Sequence, residues 1–200
     1  WLALRGKCRK CRQPIGIEPI IVEIVTATLF VLMAVHFERG VLVAAFCVFA
    51  AGLTGLTVID LKTQRLPREV SYTVMALGAP LLVIAALIDN EPRRIYMAVI
   101  GAGISLAVMG ALYKASRGGL GDGDVRLSPL LGMYLGWLNP GLALVGLFYG
   151  FILGAVIGVV MMIMGKAGRQ TQLPFGPFLA AGSIVAIFYG QNLIDLVLGH

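Results

Sequence analysis

The sequence predicts an all-α fold, a multi-pass bundle of about seven transmembrane helices. Of its 200 residues, 58% are hydrophobic and 13% charged, against roughly 45–50% and about 25% in water-soluble domains. The apolar residues gather into blocks of about 20, the length that crosses a hydrocarbon core. Between the blocks, lysine and arginine alternate between abundant and scarce, as a two-sided membrane imposes. A soluble core is rejected on the same observations.

The chain opens at Trp1 in a basic stretch holding Arg5, Lys7, Arg9, Lys10 and Arg12. Further sequence is therefore expected ahead of it. The first span is expected from about Pro19 to Phe37 and the second from about Val41 to Ile59. Only Glu38, Arg39 and Gly40 separate them, which predicts a tight antiparallel hairpin. After a polar loop from Asp60, the third span covers about Ser71 to Ile88 and the fourth about Ile95 to Tyr113. A glycine-rich loop leads into a shorter apolar segment, Val125 to Leu138, interrupted by Pro129. Its length is marginal for a straight crossing, so a short or partly re-entrant span is expected. Asn139-Pro140 turns the chain into a long span to about Met164, and Phe178 to Leu198 forms the last.

The eight segments outside these spans hold 5, 1, 3, 2, 3, 0, 2 and 0 basic residues in order, so alternate segments carry 13 of the 16. The N-terminus is expected in the cytoplasm and the C-terminus outside. The net charge of +6 is explained by this topology, and no nucleic-acid partner is needed. Glycines recur inside the spans at Gly101, Gly103 and Gly110, and at Gly146, Gly150, Gly154 and Gly158. Small residues at such spacings let helices approach closely in lipid.

The stretch from Ala115 to Leu127 carries four glycines and two aspartates between apolar blocks. A carboxylate beside hydrocarbon costs several kcal/mol, about 2.5 or more on insertion scales, and marks a functional site by default. Asp60 and Asp124 lie at the cytoplasmic ends of different spans in this topology, Asp60 closing the second and Asp124 opening the fifth. Two converging carboxylates share a proton near neutrality. The ionised member can then activate water while the protonated one polarises a peptide carbonyl. The structural alternative is a solvated helix cap, or an ion pair with Lys62 or Arg126. The glycines Gly121 and Gly123 either admit a substrate backbone or simply loosen the loop. Cys8-x-x-Cys11 is half of a tetrahedral thiolate site, with redox chemistry the weaker option, and Cys47 reads as a packing residue.

Gly121-Asp122-Gly123-Asp124 with Val-Arg126-Leu resembles the GxGD segment of the type IV prepilin peptidases, aspartyl proteases of the bacterial inner membrane. Ile59-Asp60-Leu-Lys-Thr-Gln-Arg-Leu-Pro67 is similar to that family's first aspartate segment, and Pro174-Phe175-Gly176-Pro177-Phe178-Leu179 to its PFGPFL stretch. Leu4-Arg5-Gly6-Lys7-Cys8-Arg9-Lys10-Cys11 resembles the end of its N-terminal cytosolic domain, and Val22-Glu23-Ile24 its early VEL segment. The ordered set covers nearly the whole chain. The resemblance implies residues 1–18 as the end of a cytosolic domain and 19–200 as the peptidase domain of a GxGD intramembrane aspartyl protease. It implies an endopeptidase that removes the basic leader from type IV prepilins and pseudopilins at the cytoplasmic face, with Asp60 and Asp124 as catalytic pair. Asp122 occupies the variable position and is secondary, with tuning of the pair as its alternative role.

Pro174, Gly176 and Pro177 are expected to scaffold the cleft or form a structural turn. Glu23 either snorkels to the interface or contacts basic leader residues. Proteolysis needs no cofactor. Zinc would require a second CxxC beyond Cys8 and Cys11, and S-adenosylmethionine a methyltransferase part, for which no residues are assigned. The competing function is a proton-coupled transporter subunit using the same acids as a relay. It predicts acids near mid-membrane. A binding subunit without turnover is the third reading.

Overall fold

The computed structural model describes residues 11–13, 16–38, 40–116, 119–165 and 174–198. Among them are seven helices: α1 (Glu18–His36), α2 (Gly40–Thr63), α3 (Arg68–Ile88), α4 (Arg93–Ala115), α5 (Asp122–Leu138), α6 (Pro140–Ile163) and α7 (Gly176–Leu198). Six are long and apolar enough to cross a membrane, and α5 is the shorter seventh. The chain is a multi-pass membrane helical bundle.

Successive helices run antiparallel, which divides the bundle into two ends. At one, Lys62 near the end of α2 pairs with Glu18 at the start of α1 at 2.7 Å, and the start of α7 meets Asp60 of α2. At the other, Arg94 of α4 lies over the Trp137 ring of α5, and Asn139 bonds Gln191 of α7. His36 packs edge-on against Phe37 and Phe188 near this second end, apart from the acids; His200 lies outside the described residues.

α5 is one continuous helix joining the two ends, despite Pro129 inside it. Among its described residues there is no break that would turn the chain back. Seventeen residues rise about 26 Å, slightly less than the hydrocarbon thickness. The shortfall is tolerated because neighbouring helices, not lipid, surround α5: Leu127, Leu130, Leu131, Tyr134, Leu135 and Trp137 are all at most 1% exposed. Tyr134 stacks on Phe49 of α2 with ring centroids 4.3 Å apart. Its hydroxyl lies where a Cβ at Gly78 of α3 would stand, so Gly78 makes the room.

Glycine also sets the closest helix pairings. Gly101 of α4 faces Gly132 and Gly136 of α5 backbone to backbone, and a Cβ at Gly136 would fall 2.7 Å from the Met97 carbonyl oxygen. Gly146, Gly150 and Gly154 of α6 meet Leu135, Leu179 and Phe175, as the small-residue spacing predicts. Gly103 and Gly110, grouped with them in the sequence, face open space within the chain. The α1 helix is exposed along most of its length, with Met33 its buried residue.

Two expectations are corrected. Asp60 does not close α2, because the helix continues a further turn to Thr63. Hydropathy marks where the apolar run stops, whereas the helix stops where Gln64 turns left-handed (φ 51°) and its N–H caps the Asp60 carbonyl at 2.8 Å. The Pro-Phe-Gly-Pro stretch is likewise more than a bend, since Gly176 and Pro177 begin α7. Proline is accommodated there because first-turn N–H groups lack helical partners.

Candidate active site

Asp60 and Asp124 are the buried charged side chains among the described residues, at 4% and 5% exposure. Asp60 is held in place by α2, one turn before its C-terminus. Asp124 stands in the first turn of α5, ahead of the apolar stretch 125–138, where the unsatisfied N–H groups of a helix start favour negative charge. Gly121 is the N-cap of that helix, and its amide and carbonyl both engage Asp124.

The third contributor is the start of α7. Gly176 N–H donates to Asp60 Oδ2 at 3.0 Å, a buried bond spanning 116 residues of sequence. A Cβ on Gly176 would fall 2.8 Å from that same oxygen. Prolines at 174 and 177 supply no N–H, and of the two amides between them that of Gly176 reaches the acid.

The ion-pair alternative for the two acids finds its partners taken. Arg126 binds Asp122 at 2.6 Å, an i,i+4 pair on the exposed side of α5, and Lys62 binds Glu18. Among the described residues no ion pair forms on Asp60 or Asp124, and neither is a solvated cap. Burial of both carboxyl groups disfavours two charges on the pair. Two interacting acids, one protonated near neutrality, can supply a base and an acid together.

The structure thus brings Gly121, Gly123, Asp124, Gly176 and Asp60 to one end of the bundle, with Pro174 and Pro177 flanking. Asp122 and Arg126 lie on the rim as a half-exposed pair. Glu23 is exposed on α1, one helical turn beyond Glu18, outside this cluster. Cys11 is exposed, and Cys8 lies outside the described residues. Two thiolates are half of a zinc site, and no group of three or more His, Cys, Asp or Glu among the described residues supplies the rest.

Leu66 was not anticipated. It is half-buried in the connection between α2 and α3, and its side chain lies against both Gly123 and Gly176. The available signal was one apolar residue in an otherwise polar loop, immediately before Pro67.

A profile of the type IV leader peptidase family matches residues 47–163, the interval that contains both buried acids. The chain belongs to the type IV leader peptidase family. A second profile, the bacterial peptidase A24 N-terminal domain, matches residues 1–37. Among curated relatives, prepilin leader peptidase/N-methyltransferases from Burkholderia pseudomallei and Stutzerimonas stutzeri are 35% and 33% identical. The matches take in 100% and 96% of this chain but 63% and 66% of those proteins. The Bacillus subtilis protein of the same name is 28% identical over 98% of this chain and 75% of its own length. No solved structure matches. The matched interval carries Asp60 on α2 and Asp124 on α5, and the start of α7, whose Gly176 donates to Asp60, lies beyond it.

Proposed function

We propose that this type IV leader peptidase family chain is a membrane-embedded aspartyl endopeptidase that cuts the basic leader from prepilins or pseudopilins. The observation that carries the reading is the burial of Asp60 and Asp124, each without a cationic partner among the described residues, with the Gly176 amide donating to Asp60. Asp60 takes a proton from water as it attacks the scissile carbonyl. Asp124, carrying the shared proton, polarises that carbonyl and then protonates the leaving amine. Glycines at 121, 123 and 176 let the two carboxyl groups and Leu66 pack against bare backbone.

The site faces the cytoplasm of a bacterial inner membrane in this reading. Support comes from Arg12, Lys62, Arg65, Arg68, Lys114 and Arg126 at the end bearing the acids, against Arg93 and Arg94 at the other. Both acids lie near one end, which favours surface hydrolysis over a relay across the bilayer. No step in this proposal uses zinc or S-adenosylmethionine.

The test is cleavage of a basic-leader, apolar-helix substrate by the purified chain in detergent. Asp60→Asn and Asp124→Asn are each expected to lower kcat/KM by about 10²–10⁴-fold while remaining membrane-inserted. Full cleavage by either variant rejects the pair, and binding without turnover by the unaltered chain favours a silent assembly subunit.

A further inference from the structure

Pro129 stands inside α5 and has no N–H to give. In a regular helix the amide of residue 129 would bond the carbonyl of residue 125. Val125 is therefore left with a carbonyl that has lost its α-helical donor. The Ser128 hydroxyl takes that place, its Oγ donating to the Val125 carbonyl oxygen at 2.8 Å. Serine and threonine hydroxyls are among the few groups that can serve a carbonyl freed by proline in a membrane helix, and Ser128 is wholly buried. Thr54 of α2 and Ser183 of α7 make the same kind of bond, to the Ala50 and Leu179 carbonyls. Those acceptors have no proline one turn ahead, so their hydroxyl bonds are additions and that of Ser128 is a replacement.

The carbonyl at stake belongs to the residue next to Asp124. α5 begins with its N-cap at Gly121 and its first residue at Asp122. The N–H groups of a first turn lack helical partners, so that turn is tied to the rest of the helix through its carbonyls. Asp124 and Ser128 lie four residues apart on one helix face, and both are buried. Beyond the proline, Leu130, Leu131, Tyr134 and Leu135 are fixed by packing at no more than 1% exposure. The Ser128 bond spans the interruption between that anchored part and the turn bearing the acid.

We propose that Ser128 is a positioning residue for Asp124, holding the first turn of α5 in line by supplying the hydrogen bond that Pro129 cannot. This deepens the peptidase reading and rests on it. Without the hydroxyl, the proline ring still crowds the Val125 carbonyl and nothing draws that carbonyl back, so the turn tilts and Asp124 moves relative to Asp60.

The experiment compares wild type, Ser128→Ala, Pro129→Ala and the double variant, each as the purified chain in detergent, on one basic-leader substrate. Ser128→Ala is expected to lower kcat by about 10–100-fold, the scale of a misplacement near 1 Å. Pro129→Ala restores a backbone N–H and is expected to cleave near the wild-type rate. Adding Ser128→Ala to it is then expected to cost no more than about threefold, because the carbonyl keeps a donor. An equal loss in both backgrounds assigns Ser128 to packing or substrate contact and overturns the proposal, as does an unimpaired Ser128→Ala. A second readout does not depend on turnover. Val125-Arg126 is the one Val-Arg step in the sequence, so NMR-active isotopes in valine carbonyl carbon and arginine nitrogen isolate the Val125 carbonyl. Its chemical shift is expected to move in Ser128→Ala and to return in the double variant, and an unmoved shift overturns the bond. Absence of wild-type cleavage, with the shift still moving, overturns the peptidase reading and spares the bond.

Discussion

Gly176 N–H reaches Asp60 Oδ2 at 3.0 Å and joins the start of the last helix to the last turn of the second. The bond holds one carboxylate of the pair through its Oδ2. It also explains why a residue without a side chain occupies position 176.

Gly176→Ala would set a Cβ 2.8 Å from that oxygen and 3.2 Å from the Leu66 methyl groups. The acid must then rotate away or α7 must shift. A misplacement near 1 Å costs catalysis about a hundredfold, so kcat/KM should fall by roughly that factor. Thermal unfolding in detergent should move far less than activity. Wild-type turnover by Gly176→Ala speaks against the contact.

The proton shared by the two acids gives a signed pH dependence. In the pH–rate profile, kcat/KM should decline on the alkaline side as that proton leaves the pair. An activity still rising at pH 9 argues against that assignment.

The glycines of α4 separate into two kinds. Gly101→Ala pushes a methyl into the backbone of Gly132 and Gly136 and should destabilise the bundle by about 1–3 kcal/mol. Gly103→Ala meets nothing within 4 Å and should be neutral or stabilising by up to about 1 kcal/mol from helix propensity. Detergent unfolding curves of the two variants provide the comparison. Equal effects contradict the close α4–α5 approach.

Orientation is testable with single cysteines in a chain whose own cysteines are replaced. Arg65→Cys lies in the connection at the acid end and Asn90→Cys in the one at the opposite end. A membrane-impermeant maleimide applied to intact spheroplasts should label the second variant and spare the first until the cells are opened. The reverse pattern places the acids outside and removes the cytoplasmic reading.

Much of this arrangement was legible along the chain. Seven apolar blocks became seven helices because backbone polar groups inside a bilayer must bond within their own segment. Asp60 and Asp124 could be singled out because ionisable residues are rare and costly beside hydrocarbon. The course of α5 was less legible. Its length is marginal against the bilayer, and the packing of Tyr134 on Phe49 and against Gly78 cannot be seen in its own sequence. Gly103 resembles Gly101 in the chain and differs from it only in what lies opposite.

By itself the sequence determined helix number, approximate spans, the sidedness to be expected and the acids worth watching, because all of these follow from local hydropathy and charge. Only the tertiary structure decided that Arg126 and Lys62 are occupied by Asp122 and Glu18, that Gly176 holds Asp60, and that Leu66 closes the space between Gly123 and Gly176. Those outcomes depend on contacts between residues far apart in the chain, where angstrom-scale packing of whole helices chooses the partner and composition carries no record of the choice.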